Sequence, residues 1–405
     1  MIKELTNKEF ENIADPEFDL EEEEIKKKQL FTDAYYNIID ILKEYLELKE
    51  EYYSIISLWI IGTYFHEQFY SFPYLFLNAM KGSGKSRTLN LITTLAKDGE
   101  ILNSLTEAVL FRTKGTLAID ESEGLERKGK ENLRELLNSA YKKGVKVKRM
   151  KQKKVGDSVE QVVEEFDAYR PIIMANISGM ESVLGDRCIP LVLEKSFNKK
   201  ITNLIEIFSE DNMVKKTIKI LKECSLCRCS FSVERYKEWN NYMKSTINNY
   251  TNNTNYYNTT NYTNYTEAFR SINLTDLNGR DLELSFPLFL IAGEISSVVL
   301  KETTLTLKDI FSEKKQEDLI ENSDVSLIDF VSQMPEYSVD SFQLINQITT
   351  DFRNFLQINE DWLNSKWMGR ALKRLNLVVE KKRKSHGTEV RLNIFKAQEL
   401  IKKFK

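Results

Sequence analysis

The sequence predicts an α/β protein with helical regions on both sides of its core and a small separate domain at its C-terminal end. Five short apolar runs of strand character alternate with helical patterns between about residues 72 and 198, which is typical of an open α/β sheet. Before this core the apolar residues recur at helical spacing. After residue 325 a helical pattern leads into two short strands and a closing helix.

The composition is that of a folded chain. The 405 residues are 41% hydrophobic and 11% aromatic, which excludes a disordered chain and suggests two to four domains. The N-terminus is polar and acidic, and the longest apolar run, 55–61, is too short to cross a bilayer. Four cysteines are few for this length and suit a reducing compartment. We therefore expect a cytoplasmic protein with no membrane segment.

The pattern divides the chain into four regions. The first thirty residues are charged with little apolar periodicity, so we expect a peripheral arm that leads into a helical segment from Phe31 to Phe69. The predicted regions are an N-terminal helical region (1–70), an α/β core (71–200), a helical region (201–320) with an exposed low-complexity Asn/Thr/Tyr insertion (247–266), and a C-terminal domain (325–405).

The sequence GSGKS organises the core, because it joins an apolar strand to a helix through a glycine loop. This order is typical of a phosphate-binding loop. Gly82 and Gly84, on either side of Ser83, let backbone amides approach a phosphate. Lys85 would reach the β- and γ-phosphates of a nucleotide, and the Ser86 hydroxyl would bind Mg²⁺.

One position departs from the full pattern GxxxxGK[ST], since Ala79 replaces its first glycine. That glycine often relieves the turn after the strand, and alanine is the mildest replacement. The alternative interpretation is a chance GSGKS in a flexible loop. The residues further along the chain weaken that alternative.

A second strand end carries an acidic pair. Asp120 and Glu121 follow the apolar run 116–119, which is typical of the magnesium-binding strand of a P-loop ATPase. Asp120 would hold the Mg²⁺ shell, and Glu121 would orient and deprotonate the attacking water. The competing interpretation is a plain turn signal after a strand.

Two further strands of the core adjoin polar residues. Asn176 ends the apolar strand 171–176 and could bond the γ-phosphate or the attacking water, although asparagine is also an ordinary turn former. Arg187 precedes the strand 188–193 and is placed to contact the nucleotide of a neighbouring subunit. A structural role with Asp186 is the alternative for this arginine.

Between these strands lies a stretch crowded with positive charge, since eight of the thirteen residues 142–154 are Lys or Arg. Val145 and Val147 alternate with the charges, and a turn follows near 156, so we predict a hairpin with a return strand near 165–169. The residues predicted to contact a DNA backbone are Lys146, Lys148, Arg149, Lys151, Lys153 and Lys154. The alternative is a solvated edge hairpin that lysines protect.

The order GSGKS, IDE, basic hairpin, MAN and GDRCIPL resembles the AAA+ ATPases of plasmid and phage primase–helicases. These are related to superfamily 3 helicases and, more distantly, to minichromosome maintenance helicases. The resemblance covers about residues 50–300, and 277–288 looks like the lid of that family. It implies a hexameric ring that hydrolyses ATP with Mg²⁺ between subunits and translocates on DNA. It also implies the roles given above, and it makes Arg280 the candidate nucleotide sensor of the lid.

The region after the core carries weaker signals. The segment 201–224 is predicted to be helical. Cys224, Cys227 and Cys229 have metal-like spacing, but a zinc site would need a further ligand, so reduced cysteines are favoured.

The C-terminal domain has the element order of a winged helix. A helix over 364–375 is followed by strands at 377–380 and 389–392, which bracket a basic loop, and by a closing helix. From Lys366 to Lys405 there are thirteen Lys or Arg against three Glu. The residues predicted to contact DNA are Arg370, Lys373, Arg374, Lys381, Lys382, Arg383 and Lys384. The alternative is a protein–protein winged helix with a solvated charged face.

Together these observations predict an ATP-dependent, ring-forming DNA helicase or translocase that acts in replication of a mobile element or virus. Two alternatives stay open. One is an AAA+ DNA-binding ATPase that does not unwind, such as a loader or a transposition or defence regulator. The other is an initiator or scaffold that uses ATP only for assembly. The expected partners are DNA and further copies of the chain, and the expected cofactors are ATP and Mg²⁺.

Overall fold

The computed structural model has two units, 1–310 and 311–405. The residues that the structure describes are 16–102, 105–120, 130–155, 158–176, 182–205, 207–227, 231, 233–252, 266–321, 323–335, 341–357, 363–385 and 387–402.

The described residues contain ten strands, in three sheets. In chain order the strands are β1 (Tyr74–Ala79), β2 (Glu100–Leu102), β3 (Leu117–Ile119), β4 (Lys146–Val155), β5 (Ser158–Asp167), β6 (Ile172–Asn176), β7 (Cys188–Leu193), β8 (Gln343–Leu344), β9 (Val378–Lys384) and β10 (Gly387–Leu392). A five-stranded parallel sheet has the order β2-β3-β6-β1-β7. β4 and β5 form an antiparallel hairpin, and the second unit has an antiparallel sheet in the order β8-β10-β9.

Sixteen α-helices lie in the same described part of the chain. They are α1 (Pro16–Tyr45), α2 (Glu50–Thr63), α3 (Lys85–Leu95), α4 (Glu107–Arg112), α5 (Glu131–Ala140), α6 (Ser182–Gly185), α7 (Lys199–Thr202), α8 (Asn212–Leu226), α9 (Val233–Asn252), α10 (Thr266–Asn273), α11 (Gly279–Ile295), α12 (Ser297–Glu321), α13 (Ser323–Ser332), α14 (Ile345–Leu356), α15 (Ser365–Arg374) and α16 (Ile394–Ile401).

The central sheet confirms the predicted α/β core with five strands. β1 is an inner strand between β6 and β7, and its Leu75 and Leu77 are fully buried, as expected for a parallel strand covered on both faces. The apolar helix α2 is linked to the start of β1, since the Trp59 indole donates to the Pro73 carbonyl at 2.8 Å. Because the strands are parallel, their carboxyl ends lie at one edge of the sheet, where Ala79 and Asn176 are found.

The N-terminal region is more helical than predicted. We expected residues 1–30 to form a peripheral arm, and the structure shows that 16–30 of this stretch are the start of the helix α1. Glutamate and lysine are strong helix formers, and they continue a helix without apolar periodicity. Lys27 also holds this part of α1 through an ion pair of 2.9 Å with Glu294 of α11.

The helix predicted over 201–224 is interrupted. α7 ends at Thr202 and α8 begins only after Asp211, whose carboxylate accepts from the Met213 and Val214 amides at 2.7 and 3.0 Å. An aspartate that caps a helix start in this way marks a boundary. The insertion predicted over 247–266 is helical as far as Asn252, where α9 ends, and 253–265 lie outside the described residues.

The second unit has its own apolar core. Phe352 of α14, Met368 and Leu372 of α15, and Val390 of β10 are buried in it. The two-residue strand β8 was not predicted, because it is too short to show a period of two. The predicted basic loop is also different, since Lys381 to Lys384 extend β9 as a strand.

Candidate functional site

The loop between β1 and α3 is the first part of the site. Gly82 and Gly84 have left-handed backbones, with φ of +82° and +80°. A Cβ added at either one would meet nothing within 4 Å, so the conformation of the backbone calls for glycine here. The Ser83 hydroxyl closes the turn by donating to the Met80 carbonyl at 2.8 Å. α3 begins at Lys85, and its first amides, which lack partners within the helix, point back toward the loop.

The departure at Ala79 has a structural reason. Ala79 is the last residue of β1 and pairs with Leu193 of β7, so its backbone is extended, a conformation that any residue adopts. It is also 2% exposed, which suits a small side chain. This loop therefore needs left-handed glycines only at positions 82 and 84.

Lys85, Ser86 and Asp120 meet at the carboxyl edge of the sheet. The Lys85 ammonium lies 3.2 Å from Oδ1 of Asp120, and the Ser86 hydroxyl donates to Oδ2 at 2.9 Å. Asp120 follows β3, which β6 separates from β1, and α3 contacts all three of these strands. The side chains of Lys85 and Asp120 are only 12% and 20% exposed.

This group could hold an anion and a hard cation side by side. Lys85 provides a positive charge next to the glycine loop. Ser86 and Asp120 are oxygen donors of the kind that Mg²⁺ takes, and Mg²⁺ usually completes its shell with substrate phosphates and water. The described residues contain no cluster of three or more His, Cys, Asp or Glu that could hold a metal ion by itself.

Asn176 lies at the same edge, beside an amide that the sequence analysis missed. Asn176 ends β6 and is 1% exposed, and its Cα partner in β1 is Asn78. Asn78 is partly exposed. The signal for it was present, because it is a polar residue within an otherwise apolar strand. Glu121, the predicted general base, lies outside the described residues.

Arg187 lies at the amino-terminal ends of the strands, opposite the carboxyl ends where the glycine loop is found. It precedes β7, and its carbonyl accepts from the Tyr74 amide at the start of β1 at 3.1 Å. Six residues of β1 separate this edge from the loop, a distance of about 20 Å at about 3.3 Å per residue. The guanidinium donates to the Asn138 carbonyl at 2.9 Å and to the Val183 carbonyl. Arg187 therefore does not reach the loop of its own chain.

Arg280 lies beside Arg187. It donates to the Tyr141 hydroxyl, and its guanidinium is 4.8 Å from the centroid of that ring, while the Arg187 guanidinium is 5.6 Å from it. Asp186 lies 3.8 Å from both arginines. The structure thus places the two arginines together and away from Lys85. The sensor role of Arg280 stays a prediction.

A cavity of about 640 Å³ opens beside the loop, within the size range of small-molecule sites. Its floor is the loop and the first turn of α3. A second wall is the end of α1 with the start of the α1–α2 connection, residues 45–48, and a third is formed by Ser196, Ile201 and Thr202. The cavity provides room for the part of a ligand that extends beyond the loop.

The β4–β5 hairpin has cations on one strand and acids on the other. Glu165 of β5 accepts from Lys146 at 3.1 Å and lies 3.3 Å from Lys148. These two lysines hold the pKa of the Glu165 carboxyl below its ordinary value. The register also sets Arg149 opposite Glu164. The structure therefore balances part of the positive charge of β4 within the hairpin, which the sequence analysis did not foresee.

Three of the predicted cations of the second unit have partners within it. Arg374 makes a bidentate pair with Asp324 at 3.0 and 2.6 Å, which raises the pKa of Arg374. Lys384 lies 2.8 Å from Glu389. Lys382 lies 3.8 Å from the centroid of the Phe342 ring.

The other four predicted cations have no ion pair in the described part of the chain. They are Arg370, Lys373, Lys381 and Arg383. Lys366, which was not among the predicted contacts, lies four residues before Arg370 and seven before Lys373, so the three share one exposed face of α15. Helical spacing alone was sufficient to find it.

Comparisons with known proteins identify neither a family nor a function. No protein-family model matches the chain, and no curated protein matches its sequence. Eighteen chains of solved structures match. One is the A-form apo structure of the NrS-1 C-terminal region, which is 11% identical, with a TM-score of 0.35 over 90% of this chain and 74% of that chain. What the structure itself defines is an α/β protein with a five-stranded parallel sheet.

No helix among the described residues is long and apolar enough to cross a membrane.

Proposed function

We propose that this chain is an AAA+ ATPase that binds and hydrolyses Mg²⁺–ATP at its glycine loop. The observation that supports this best is the convergence of Lys85, Ser86 and Asp120. Lys85 and Ser86 precede Asp120 by 35 and 34 positions, yet they lie 3.2 and 2.9 Å from its carboxylate at the carboxyl ends of the parallel strands. Ligands of open α/β sheets collect at that edge. The open space around Gly82 and Gly84 fits a phosphate group that approaches the backbone closely.

The roles of the residues follow from their chemistry. The loop amides would bind the phosphates, and the Lys85 ammonium would neutralise charge on the β- and γ-phosphates. Ser86 and Asp120 would orient the Mg²⁺ shell, and the bound Mg²⁺ supplies electrostatic stabilisation of the transferred phosphoryl group. Glu121 would orient and deprotonate the attacking water. Asn176, at the end of β6, would donate a hydrogen bond to the γ-phosphate or to that water.

The position of Arg187 favours a ring. A site completed by this arginine needs a second copy of the chain, because Arg187 and its own loop lie at opposite edges of the sheet. A head-to-tail contact that repeats around a closed circle supplies one arginine to each loop. An arginine supplied in trans can stabilise much of the transition-state charge. We propose a hexamer on the resemblance described above.

DNA is the proposed partner, and replication of a mobile element or virus the proposed setting. The hairpin supplies Lys-rich β4, which would contact single-stranded DNA in the ring. On this proposal the second unit is a winged helix, with the Lys366 face of α15 and the strand β9 as its duplex contacts. On this proposal ATP hydrolysis drives translocation and unwinding.

A DNA-dependent ATPase that does not unwind is the alternative. The contacts of Glu165 with Lys146 and Lys148 favour it, because they reduce the charge that β4 offers to a DNA backbone. A fork substrate in a strand-displacement assay separates the two functions, since only the helicase releases the displaced strand.

Lys85→Ala and Glu121→Gln test the ATPase proposal. We expect Lys85→Ala to lose binding of a fluorescent ATP analogue, and Glu121→Gln to retain binding while turnover falls by about 10²–10⁴-fold, the usual contribution of a general base. Exchange of the exposed Arg112 on α4 for alanine is the control and should change neither property. Unchanged ATP hydrolysis in both variants would refute the site.

A further inference from the structure

Arg87 follows the Lys85–Ser86 pair, yet it contacts a different part of the chain. Its guanidinium donates from Nη1 to the Ile201 carbonyl at 2.7 Å and from Nη2 to the Leu204 carbonyl. The Ile201 carbonyl lies in the last turn of α7 and also accepts from the Leu204 amide at 3.1 Å, and the Leu204 carbonyl lies just beyond the helix. The first turn of α3 is therefore tied to the segment after β7.

The described residues of that segment, 196–205 and 207–211, are here named the strap. It is held at two further points. The Ser196 hydroxyl donates to the Glu47 carboxylate, and the Tyr45 hydroxyl donates to Asp211 at 2.7 Å. Burial and the hydrogen bond with Asp211 raise the pKa of Tyr45 to about 12, so this hydroxyl remains a donor at neutral pH. All three anchors start from elements that wall the cavity beside the loop.

Apolar packing holds little of the strap. Phe197, Ile205 and Ile207 are 84%, 81% and 65% exposed. Phe208 is buried and lies against Tyr45, with ring centroids 5.0 Å apart. A segment with few buried apolar contacts has low local stability, so its position depends on its hydrogen-bonded anchors. Among the described residues between Ser196 and Phe208, the contact of Arg87 with two carbonyls ties the strap to α3.

The inner side of the strap faces the cavity. Ile201 and Thr202 line it, together with Leu46 and Leu48 of the α1–α2 connection. Aliphatic side chains on two walls suit a flat heterocycle, and the Thr202 hydroxyl offers a polar contact. If the phosphates of a nucleotide bind to the glycine loop, its base and ribose would lie beside these walls.

We propose that Arg87 is a positioning residue, which holds Ile201 and Thr202 as the wall of a subsite for the base and ribose of the nucleotide. The inference rests on the proposed function, because that function places phosphates in the loop. Arg87 donates to the strap backbone at Ile201 and Leu204, so on this proposal its contribution belongs to the nucleoside half of the ligand. The glycine loop and Lys85 would by themselves determine the affinity for a phosphate ligand that lacks a nucleoside.

Titration calorimetry with two ligands tests this division, using Mg²⁺–ATP and inorganic tripolyphosphate on the full chain. Wild-type protein should bind ATP more tightly than tripolyphosphate. Arg87→Ala should weaken ATP binding about tenfold, the effect of losing charge-assisted hydrogen bonds, and leave tripolyphosphate binding unchanged. Arg87→Lys should restore part of the ATP affinity, because an ammonium group can still donate to a carbonyl. Lys85→Ala should lose both ligands, and Arg112→Ala should lose neither.

Hydrogen exchange of residues 199–204 provides the second measurement and needs no ligand. Arg87→Ala should raise exchange there, whereas Arg112→Ala should not. An unchanged exchange rate would overturn the anchoring role. An equal loss of ATP and tripolyphosphate affinity, or an unchanged preference for ATP, would overturn the subsite. If wild-type protein bound neither ligand, the proposed ATPase function would fail, while the exchange measurement would still decide whether Arg87 holds the strap.

Discussion

The Ser86 hydroxyl donates a hydrogen bond of 2.9 Å to Oδ2 of Asp120, a residue 34 positions further along the chain. The other oxygen of that carboxylate lies 3.2 Å from the Lys85 ammonium. One carboxylate therefore links the two side chains that the proposed function assigns to metal and to phosphate. We therefore expect the charge of Asp120 to determine how strongly Mg²⁺ raises the affinity for ATP.

Asp120→Asn tests that dependence. We expect the gain in ATP affinity on adding Mg²⁺ to fall about tenfold or more, because an amide is a weaker partner for a cation than a carboxylate. ATP titrations with and without Mg²⁺ measure the gain. Exchange of the exposed Asp40 of α1 for asparagine is the matched control. An identical Mg²⁺ effect in Asp120→Asn and wild type would contradict the metal assignment.

Mixing two inactive variants tests the position of Arg187. Lys85→Ala lacks a working loop and Arg187→Ala lacks the arginine offered to the neighbour, so each should hydrolyse ATP poorly alone. In an equal mixture about one junction in four joins an intact loop to an intact arginine, so activity should recover to about a quarter of the wild-type rate. Lys85→Ala diluted into buffer alone is the control. A mixture that shows only the summed activities of its parts would place Arg187 outside the shared site.

Neutralising the hairpin tests DNA coupling. Exchange of five residues of β4 for alanine should remove the stimulation of ATP hydrolysis by single-stranded DNA and leave the basal rate unchanged; they are Lys148, Arg149, Lys151, Lys153 and Lys154. The physical reason is the loss of phosphate contacts from an element remote from the loop. Alanines at the four exposed lysines of α8, Lys215, Lys216, Lys219 and Lys222, remove four positive charges and control for most of the change in net charge. Intact unwinding in the hairpin variant would refute its role.

The strand β9 offers a comparison between cations with ion-pair or ring partners and cations without an ion pair among the described residues. Lys382 and Lys384 contact Phe342 and Glu389, whereas Lys381 and Arg383 have no ion pair among the described residues. We expect the double variant Lys381→Ala/Arg383→Ala to weaken duplex DNA binding and to lower the slope of log affinity against log salt by about two. Lys382→Ala/Lys384→Ala should change the slope less. Fluorescence anisotropy of the full chain at several salt concentrations measures both, and equal slopes would contradict the assignment.

The cap at Asp211 predicts a pH dependence of stability. Hydrogen bonds from the Val214 amide, the Tyr45 hydroxyl and the Met213 amide together hold the pKa of Asp211 below its ordinary value of 3.8. A lowered pKa means that the stabilisation is complete above about pH 4 and is lost as the pH falls and the carboxylate takes up a proton. Asp211→Ala should cost about 1 kcal/mol at neutral pH, as for other helix caps.

Asp211→Asn separates the cap from its charge. Asparagine caps a helix about as well as aspartate but does not titrate, so this variant should keep the stability at pH 7 and lose less of it on acidification. Thermal unfolding at pH 7 and near pH 3 measures the difference. An identical loss on acidification in wild type and Asp211→Asn would place the acid sensitivity elsewhere.

Much of the core could be predicted because its signals are local. The five strands carry apolar runs, and GSGKS identifies its loop through two glycines whose left-handed backbones the structure contains. The helix boundaries that the sequence did not predict depend on features other than apolar periodicity. The start of α1 rests on helix propensity without periodicity, and the start of α8 rests on one capping aspartate. β8 exists because it pairs with β10, a contact between distant residues.

The sequence by itself determined the α/β class, the glycine loop, and the identity of the side chains at the ends of β1, β3 and β6. These follow from residue types at short spacing, which set local backbone conformation and burial. Only the tertiary structure decided which of them meet. The parallel pairing of the strands brings Lys85, Ser86 and Asp120 to one edge and places Arg187 at the other, and the antiparallel register sets Glu165 against the lysines of β4. These distances depend on strand order and register, which residues far apart in the chain determine together.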